Sequence, residues 1–489
     1  MPHHILKSTT IALLSILLSQ TAIASLQSDA QQAIRQQGLE MADVGVAVLD
    51  PATGRMLVDI NASTPRIPAS NMKLLTSGTA AMLLGSDFRY RTRLVTVDDD
   101  LVVIGSGDPA FGDTELLAKM TDADGNAMDV EGFLNLWVDA IVATGRSHFD
   151  ELIIDDRVFD RDYVHHTWPK EQLVRRYCAG VSGLNFHRNI IRFYPRPGGR
   201  TANVERRSPT TNALDIRNEI TSTKNKRSSD LVDVHRKIGT NQITLKGNVT
   251  VPMQVPIEVT VHDMPGLFGA MLAERLEHHG VSVSTIRLAT ASDPPFSGDP
   301  VGPVIATPLS SVLKRCNQDS YNLYAEALLK TLGATYSRSP GTFQNGATVI
   351  RHTLQDTLQE PDTSLRIADG SGMSRSNRIS PETLAHWLAS FDPDDPDAAM
   401  FIHSLATPGN GTLSKRFTNR KLSGATVLAK SGYLNGVCSL SGLVIAPDGR
   451  RLVFSIIVNH GSPSASHAKR MQERIVERLA RSLTTLARG

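Results

Sequence analysis

Residues 68–74 read Pro-Ala-Ser-Asn-Met-Lys-Leu, and good helix formers continue from there to Leu83. Residues three positions apart on a helix face the same way, so the Lys73 amine is expected beside the Ser70 hydroxyl. A serine hydroxyl is a weak nucleophile until a neighbouring base takes its proton, and a lysine can be that base when burial and a second cation lower its pKa. Ser70 is expected in the first turn of this helix, where free backbone N–H groups can also stabilise an oxyanion. The stretch therefore predicts a serine nucleophile with a lysine base.

Two further motifs strengthen this signal, which is weak on its own. Ser-x-x-Lys arises by chance in long chains, and Ser311 to Lys314 is a second example. Ser320-Tyr321-Asn322 precedes a helix-like run, and Lys430-Ser431-Gly432 lies on a β-prone run. Taken singly, these motifs are also typical of an N-cap serine, a solvated lysine and a turn glycine. Serine enzymes of the penicillin-binding type use Ser-x-x-Lys, Ser-x-Asn and Lys-Thr-Gly in this order, so the order favours one shared active site.

With these motifs the chain resembles the D-alanyl-D-alanine carboxypeptidase/endopeptidase family, the class C low-molecular-mass penicillin-binding proteins. The resemblance covers nearly all of the chain after its N-terminal segment. It includes the segments Gly105-Ser-Gly-Asp-Pro109, Asn317-Gln-Asp319 and Asp369-Gly-Ser-Gly-Met-Ser-Arg375. The long stretch between Lys73 and Ser320 is also similar to that family, which carries two accessory domains at this place. Compact β-lactamases lack such an insertion.

The resemblance implies a role for each matching residue and no metal or cofactor. Ser70 would form the acyl-enzyme, and Lys73 would accept its proton. Ser320 and Asn322 would relay a proton to the leaving D-alanine and hold the substrate amide. Lys430 would lower the pKa of Lys73 by like charge and attract the substrate carboxylate. The implied substrate-binding residues are Ser431, Gly432, Tyr433 and Asp155. The Ser431 hydroxyl would donate a hydrogen bond to that carboxylate, and Asp155 would lie near the substrate side chain. The backbone N–H groups of Tyr433 and Ser70 would form the oxyanion hole.

Two positions depart from the family's usual pattern. Ser431 stands where threonine is commoner, but it keeps the hydroxyl group, so activity is expected to survive. Tyr321 replaces a frequent aspartate between Ser320 and Asn322. A bulky phenol at the edge of the cleft could alter the choice of substrate.

The two ends of the chain predict one α+β domain. The β-prone runs 44–49 and 55–60 flank a Pro-Ala-Thr-Gly turn and form a predicted hairpin. The runs 439–446 and 451–459 flank a Pro-Asp-Gly turn, and apolar residues at helical spacing follow over 471–486. Such elements at both ends of the chain suggest one domain whose sheet is closed by strands far apart in sequence.

The middle of the chain predicts a large β-rich insertion. Residues 90–107 and 249–262 are strand-rich, 206–237 are polar and basic, and 293–302 read as a linker. The predicted fold class is α+β, a penicillin-binding/β-lactamase-like transpeptidase domain whose antiparallel sheet has helices on both faces. The predicted domains are a signal peptide at 1–24, the penicillin-binding catalytic domain at 25–88 and 300–489, an accessory domain at 89–165 and 245–299, and a second accessory domain at 166–244 nested in the first.

Residues 1–24 have the pattern of an export signal. Lys7 precedes an apolar run at 11–18, and Ala22 and Ala24 have A-x-A spacing. Cleavage after Ala24 would leave a mature periplasmic protein. A membrane anchor is the alternative, but the run is much shorter than the roughly 20 residues that a spanning helix needs.

Composition indicates a soluble globular protein with few charge-driven partners. Hydrophobic residues make up 40% and charged residues 20% of 489 residues, and the formal net charge is +2. Two or three structural units are expected, and no nucleic acid partner is implied. The basic segment 206–237 contains interleaved acidic residues, which favours a solvated face over a polyanion-binding or glycan-binding role. The basic last helix allows weak membrane association, but packing of its apolar stripe on the sheet is simpler.

The cysteines and paired histidines predict neither a disulfide framework nor a metal site. Cys178, Cys316 and Cys438 lack the spacing of either. A bridge between Cys316 and Cys438 stays open, beside the commoner buried free thiols. His165-His166 and His278-His279 are adjacent pairs, which do not face one way on a helix. The second pair would complement the C-terminus of a helix predicted over 265–280.

Three functions are compatible with these patterns. The first is a periplasmic serine-type D-Ala-D-Ala carboxypeptidase with DD-endopeptidase activity. It would act on peptidoglycan stem peptides ending in D-Ala-D-Ala and on peptide cross-links, with β-lactam antibiotics as covalent inhibitors. The second is a β-lactamase or esterase of the same superfamily, against which the long insertion argues. The third is a non-catalytic peptidoglycan-binding protein, against which the intact Lys73 and Lys430 argue.

Overall fold

A computed structural model describes residues 25–121, 125–222, 231–359, 363–460 and 465–485. The predicted signal peptide lies outside these residues. The described part divides into two compact units. The terminal unit lies within Met1–Ser86, Leu313–Ser320 and Ile350–Gly489, and the inserted unit comprises Asp87–Val312 and Tyr321–Val349. The further division of the insertion into two accessory domains remains a prediction.

The helices and strands alternate irregularly along the chain, as expected of an α+β protein. The described helices are α1 (residues 25–36), α2 (Met72–Leu84), α3 (Thr114–Leu117), α4 (Val130–Ala143), α5 (Met264–His278), α6 (Leu309–Asn317), α7 (Asn322–Ser337), α8 (Phe343–Leu358), α9 (Pro381–Ala389), α10 (Pro396–His403) and α11 (Ala465–Thr485). The described strands are β1 (Val44–Asp50), β2 (Arg55–Ile60), β3 (Arg89–Val97), β4 (Asp100–Ile104), β5 (His148–Asp155), β6 (Ile190–Phe193), β7 (Arg207–Ser208), β8 (Asp215–Ser222), β9 (Leu231–Arg236), β10 (Gln242–Val249), β11 (Ile257–Thr260), β12 (Ser282–Leu288), β13 (Asp299–Pro300), β14 (Ile305–Pro308), β15 (Thr426–Leu434), β16 (Val437–Ile445) and β17 (Arg451–Asn459).

The terminal unit contains one antiparallel sheet with strand order β15-β16-β17-β1-β2. Both predicted hairpins form, and they meet where β1 pairs with β17, for example at Val46 and Ile456. The sheet is therefore closed by strands from the two ends of the chain, as the sequence predicts. These long apolar strands can pair only once the rest of the chain has brought them together.

Helices cover both faces of this sheet, which confirms the predicted architecture. Alternate residues of β1, such as Val44 and Val46, lie in one apolar core with residues of α1 and α11. The opposite face of β1 packs on α9. A Cβ atom at Gly45 would lie 2.7 Å from Pro381 at the start of that helix. The absence of a side chain at Gly45 thus allows α9 to approach the sheet closely.

The inserted unit is rich in strands, as predicted. A six-stranded sheet has the order β12-β5-β4-β3-β13, with β14 also paired to β3. Two three-stranded sheets have the orders β8-β10-β9 and β11-β6-β7. Most pairs are antiparallel, but β5 pairs in parallel with β4 and β12, and β8 pairs in parallel with β10. Clustered aromatic rings fill much of its core: Phe111, Phe133, Trp137, Phe186 and Phe268.

The polar segment 206–237 contains more structure than its sequence indicates. It includes β7, β8 and β9, although the sequence shows almost no apolar periodicity there. The reason is that β8 and β9 each contribute one buried apolar side chain, Ile220 and Val234, to the core. Their other side chains are partly or fully exposed, so the segment is largely the solvated face that composition predicts.

The three cysteines form no disulfide, and a histidine lies at the end of α5, as predicted. Cys178, Cys316 and Cys438 are free and buried, so no bridge joins the last two. The helix predicted over 265–280 forms as α5, and His279 Nδ1 lies 2.8 Å from the Arg275 carbonyl oxygen near its end. Among the described residues, no helix is long and apolar enough to cross a membrane.

We predict that His187 makes the inserted unit sensitive to acid. Its ring is fully buried and its Nδ1–H donates to the Ile190 carbonyl, and burial lowers its pKa to about 3. As the pH falls, the His187 ring therefore takes up a proton near pH 6.5 in the unfolded chain but only near pH 3 in the folded chain. Stability that is present above pH 6.5 is lost as the pH falls, by roughly 2 kcal/mol between pH 7 and pH 5.

A His187→Asn variant tests this prediction by urea unfolding at the two pH values. Asparagine can keep the hydrogen bond to Ile190 and tolerates the φ of +48° at this position, but it does not titrate. Buried Asp108, whose pKa is raised to about 6, acts in the opposite direction and is common to both proteins. The variant should lose less stability on acidification than wild type, and equal losses would contradict the assignment to His187.

Candidate active site

Ser70 lies in a short 3-10 turn, Ala69–Asn71, that leads into α2. The sequence places it in the first turn of the α-helix itself, so the structure corrects this detail. The cause is Ala69, which is fully buried with a φ of +47° and cannot be part of an α-helix. A Cβ atom at Gly372 would lie 1.8 Å from the Ala69 carbonyl oxygen, so only glycine fits against this turn. Unusual backbone of this kind persists where the surroundings fix it, often at functional sites.

Lys73 is brought to Ser70 as the spacing predicts. Its Nζ lies 3.1 Å from Ser70 Oγ and donates a 2.8 Å hydrogen bond to the Ser371 carbonyl. The Lys73 side chain is fully buried, whereas Ser70 is partly open to solvent. The amine is therefore shielded from water and within reach of the hydroxyl proton.

Lys430 and Ser320 form a second pair of amine and hydroxyl. Lys430 Nζ donates to Ser320 Oγ at 2.8 Å and to the Ser431 carbonyl at 2.7 Å. Complete burial, followed by the like charge of Lys73, holds the pKa of Lys430 well below its usual range. The two lysines are thus close enough to repel each other, and the two pairs belong to one site.

The loop that carries Ser320 is fixed to the helix that carries Lys73. Asn317 donates from its side-chain amide to Ser77 Oγ at 3.0 Å and to Ser404 Oγ at 2.7 Å. Ser77 lies on α2 and donates to the Lys73 carbonyl at 2.5 Å. Ser320 itself has a φ of +62°, an uncommon conformation for a serine. These buried bonds hold the Ser320 hydroxyl in place relative to Lys73.

Strand β15 presents its backbone along the other side of Ser70. It is an edge strand of the sheet, and Ala429 exchanges both backbone hydrogen bonds with Ala406 on its open side, at 2.9 and 3.2 Å. Alternate residues of a strand direct their N–H groups to the same side, so those of Ser431 and Tyr433 point to this open edge. Ser431 is half-buried, and the Tyr433 side chain is 58% exposed. The edge can therefore bind an extended substrate.

Gly432 brings this strand against the turn that carries Ser70. A Cβ atom there would lie 2.8 Å from the Ser70 nitrogen and 2.2 Å from Ser439 Oγ. The backbone N–H groups of Ser70 and Tyr433 consequently lie on neighbouring segments, as an oxyanion hole requires.

We predict that Gly432→Ala greatly slows acylation by displacing the Ser70 backbone. The added methyl group collides with a backbone atom that cannot rotate away, so the strand and the nucleophile's turn must separate. Loss of one oxyanion-hole donor typically costs about 10²-fold to 10³-fold in rate, and a similar loss is expected here. Stopped-flow acylation by a chromogenic β-lactam measures it. Gly449→Ala, at an open hairpin turn of the same sheet, is the control, and equal rates in both variants would refute the close approach.

Asn322 and Tyr321 belong to the inserted unit, where α7 begins. Asn322 donates from its side-chain amide to the Tyr177 carbonyl at 2.7 Å. The Tyr321 hydroxyl accepts a 2.5 Å hydrogen bond from Arg188, whose guanidinium also lies 4.9 Å from the tyrosine ring centre. The phenol is therefore anchored by a buried arginine. The role of Asn322 in substrate binding and the effect of Tyr321 on specificity stay predictions.

Asp155 ends β5 in the inserted unit and is held by an arginine. Arg157 Nε donates to Asp155 Oδ1 at 2.7 Å, and its Nη2 donates to Oδ2 at 2.9 Å. The carboxylate is mostly buried, with 13% of the side chain exposed. Its contact with a substrate side chain likewise stays a prediction.

Sequence reasoning missed the residues that support the reactive side chains. Ser371 supplies a carbonyl to Lys73, and Gly372 allows the Ala69 turn. Both lie in the segment Asp369–Arg375, which the resemblance singles out without giving a role. Asn71 and Ser439 contact the backbone behind Ser70, and nothing in their local sequence distinguishes them from ordinary helix and strand residues.

The fold and the site together define the class of the protein. An antiparallel sheet built from both chain ends, with helices on both faces and Ser-x-x-Lys beside its edge strand, is the penicillin-binding and β-lactamase-like fold. A model of the D-Ala-D-Ala carboxypeptidase 3 (S13) family matches residues 26–482, and the chain belongs to this family. It is a D-Ala-D-Ala carboxypeptidase of the penicillin-binding type, a peptidase and therefore a hydrolase.

Several characterised proteins are similar to the chain over most of its length. It is 28% identical to a D-alanyl-D-alanine carboxypeptidase of Actinomadura sp. (strain R39), over 94% of this chain and 86% of that one. It is 22% identical to the D-alanyl-D-alanine carboxypeptidase DacB of Haemophilus influenzae, over 96% of this chain and 97% of that one. The crystal structure of penicillin binding protein 4 from the same organism covers 90% of this chain and 96% of its own, with a TM-score of 0.71 and 21% identity. This last likeness supports the fold.

Proposed function

We propose that this protein is a serine-type DD-carboxypeptidase and DD-endopeptidase of peptidoglycan that works through a Ser70 acyl-enzyme. The observation that carries the proposal is the convergence of two amine and hydroxyl pairs, Lys73 with Ser70 at 3.1 Å and Lys430 with Ser320 at 2.8 Å. Such pairs match the needs of acyl transfer, which moves one proton from the nucleophile and one to the leaving group.

Acylation begins with neutral Lys73 as the base. It takes the Ser70 proton as Oγ attacks the carbonyl carbon of the penultimate D-alanine, and the carbonyl oxygen becomes an oxyanion. The N–H groups of Ser70 and Tyr433 stabilise that charge. Collapse of the intermediate breaks the C–N bond, and Ser320 delivers a proton to the departing nitrogen. The proton that Lys73 took from Ser70 then replaces the one that Ser320 gave up. D-alanine leaves, and the remaining peptide is esterified to Ser70.

The proposed substrate contacts of Lys430 and Ser431 follow from charge and hydrogen-bonding capacity, and those of Asn322 and Asp155 rest on the family resemblance. Lys430 attracts the terminal carboxylate, and the Ser431 hydroxyl donates a hydrogen bond to it. Asn322 holds the substrate amide, and Asp155 contacts the substrate side chain. When the leaving group is the amine of a cross-linked peptide rather than free D-alanine, the same steps cleave the cross-link.

Deacylation by water completes hydrolysis and restores Ser70. Lys73 takes a proton from water as the water oxygen attacks the ester carbon, and it passes that proton to Ser70 Oγ as the C–Oγ bond breaks. A β-lactam opens its ring on the same hydroxyl, but its amine stays attached and blocks the water, so it remains bound as an inhibitor. The relative from Haemophilus influenzae has been crystallised with a β-lactam.

We also propose that the enzyme acts in the periplasm after removal of residues 1–24. Its substrate class, cross-linked peptidoglycan, is found outside the cytoplasm, and the N-terminal pattern is typical of an export signal. Fractionation of cells, followed by mass determination of the mature N-terminus, tests this. A chain starting at Ser25 in the periplasmic fraction is expected, and an uncleaved cytoplasmic chain would refute it.

Product analysis by mass tests the activity. The purified protein is incubated with a pentapeptide muropeptide and with cross-linked dimers, beside a matched pentapeptide that ends in L-alanine. Loss of one alanine from the D-Ala-D-Ala peptide alone, together with conversion of dimers to monomers, is the expected result. Binding without alanine release would indicate a non-catalytic protein. Rapid turnover of penicillin without muropeptide cleavage would indicate a β-lactamase.

A further inference from the structure

We propose that Asn71 is a positioning residue whose carboxamide joins the nucleophile's turn to the strand pair that carries Lys430, and thereby sets the rate of acylation. The inference rests on the proposed function, because it concerns the alignment of the same site. Asn71 directly follows Ser70 in the chain and is fully buried. The Ser-x-x-Lys pattern leaves this position unspecified.

The Asn71 carboxamide makes hydrogen bonds through both of its ends. With the orientation that its partners require, Nδ2 donates to the Lys430 carbonyl at 2.9 Å and to Ser439 Oγ at 3.0 Å. Oδ1 accepts from the Ser441 N–H at 3.1 Å and from Ser441 Oγ at 2.6 Å. One side chain thus contacts two strands at once.

These partners face each other in the sheet. Lys430 of β15 and Ser441 of β16 are paired in register. In an antiparallel ladder the carbonyl of one strand accepts from the N–H of the residue opposite. The Asn71 carboxamide donates to the Lys430 carbonyl and accepts from the Ser441 N–H, so it offers these two groups the same donor and acceptor that a backbone peptide group offers. A carboxamide carries its donor and its acceptor on two separate atoms of one plane, whereas aspartate lacks the donor and leucine lacks both.

The contact extends into a row of buried hydroxyl groups. Ser439 Oγ donates to the Pro68 carbonyl at 2.6 Å, which ties β16 to the start of the nucleophile's turn. Ser441 Oγ lies 2.9 Å from Ser455 Oγ on β17. All three serines are fully buried. Polar groups in a core are costly unless they are satisfied, so Ser439 and Ser441, which contact Asn71 directly, serve the orientation of the turn better than stability.

The consequence for the chemistry lies in the distance between two backbone segments. Ser70 carries one proposed oxyanion donor, and Tyr433, three residues beyond Lys430, carries the other. Asn71 bonds the strand at Lys430 while being covalently joined to Ser70. Displacement of one segment by a fraction of an ångström changes the fit to the oxyanion, which exists only in the transition state, more than the fit to the bound substrate.

Acylation kinetics of Asn71→Ala and Asn71→Asp test the proposal. A chromogenic β-lactam is mixed with the full protein in a stopped-flow instrument, and its concentration is varied to separate initial binding from acylation. The acylation rate constant is expected to fall about 10²-fold in both variants, with little change in the initial dissociation constant. Asn71→Asp should fail like Asn71→Ala, because it keeps the acceptor and loses the donor.

Ser455→Ala is the matched control for loss of a buried hydrogen bond. It removes a hydroxyl from the far end of the same row, and the contacts of Asn71 remain. Its melting temperature is expected to fall, while its acylation rate stays within about a factor of three of wild type. Should Asn71→Ala not fold, Ser439→Ala replaces it, because it loses the bonds to Asn71 and Pro68, and about a tenfold slower acylation is expected. Acylation as fast as in Ser455→Ala would overturn the proposal.

The wild-type protein separates this inference from the proposed function. Absence of a penicillin adduct on wild-type Ser70 would refute the proposed function, and the positioning role with it. An adduct on wild type that forms equally fast in the Asn71 variants would refute the positioning role alone.

Discussion

A Ser70→Ala variant is expected to form no covalent adduct with penicillin and to release D-alanine at least about 10³-fold more slowly than wild type. The change removes a single oxygen atom, the one that lies 3.1 Å from Lys73 Nζ. Lys73 keeps its hydrogen bond to the Ser371 carbonyl, so the buried amine still has an acceptor. The free energy of unfolding should therefore change by only about 1 kcal/mol. Intact-protein mass spectrometry after incubation with penicillin gives the adduct directly.

Ser311→Ala is the natural control for this experiment. Ser311 and Lys314 repeat the Ser-x-x-Lys spacing on α6, but the Lys314 side chain is exposed, whereas Lys73 is fully buried. An exposed lysine is fully hydrated and lacks the desolvation that burial gives to the Lys73 amine. Ser311→Ala should be labelled like wild type. A penicillin adduct on the Ser70→Ala variant, or loss of the adduct in the Ser311→Ala variant, would show that Ser70 is not the nucleophile.

The parts of the fold that local patterns decide could be predicted from the sequence. Alternating apolar residues around short turns identified the hairpins β1-β2 and β16-β17, and helical spacing identified α11. The presence of such elements at both ends of the chain predicted a sheet closed by distant strands, and the structure identifies the joining pair as β1 and β17. In the inserted unit the strands β8 and β9 could not be predicted, because one buried residue in each strand gives no alternation of apolar and polar residues in the sequence.

The site could be predicted only where motif residues act through their own side chains. The pairing of Ser70 with Lys73 follows from helical spacing, and the order of the motifs predicts that Ser320 and Lys430 share one site, but it does not predict the hydrogen bond between them. The 3-10 turn at Ser70 depends on Gly372, which is distant in sequence. Local helix propensity therefore predicted an α-helical turn at Ser70 where the structure has a 3-10 turn. Asn71 escaped notice for the same reason, because its partners lie on β15 and β16.

Replacement of Lys73 is expected to slow acylation by roughly 10²-fold to 10⁴-fold, the usual contribution of a general base. Lys73→Met matches the length of the lysine side chain and removes the amine. Lys73→Arg keeps a positive charge, but a guanidinium does not give up its proton at any pH used for the assay. If Lys73 acts as the base, both variants should fail, and stopped-flow acylation measures the loss.

The arginine variant decides between a base and a fixed charge at this position. A lysine that served only to attract an anionic substrate would be replaced by arginine with modest loss, and the dissociation constant rather than the acylation rate would change. Lys314→Met, which removes the exposed lysine of the second Ser-x-x-Lys, should acylate like wild type. The base assignment also explains why a buried Lys430 stands nearby. Repulsion between two buried amines disfavours protonation of both together, and it is a cause, after burial, of the lowered pKa of Lys430.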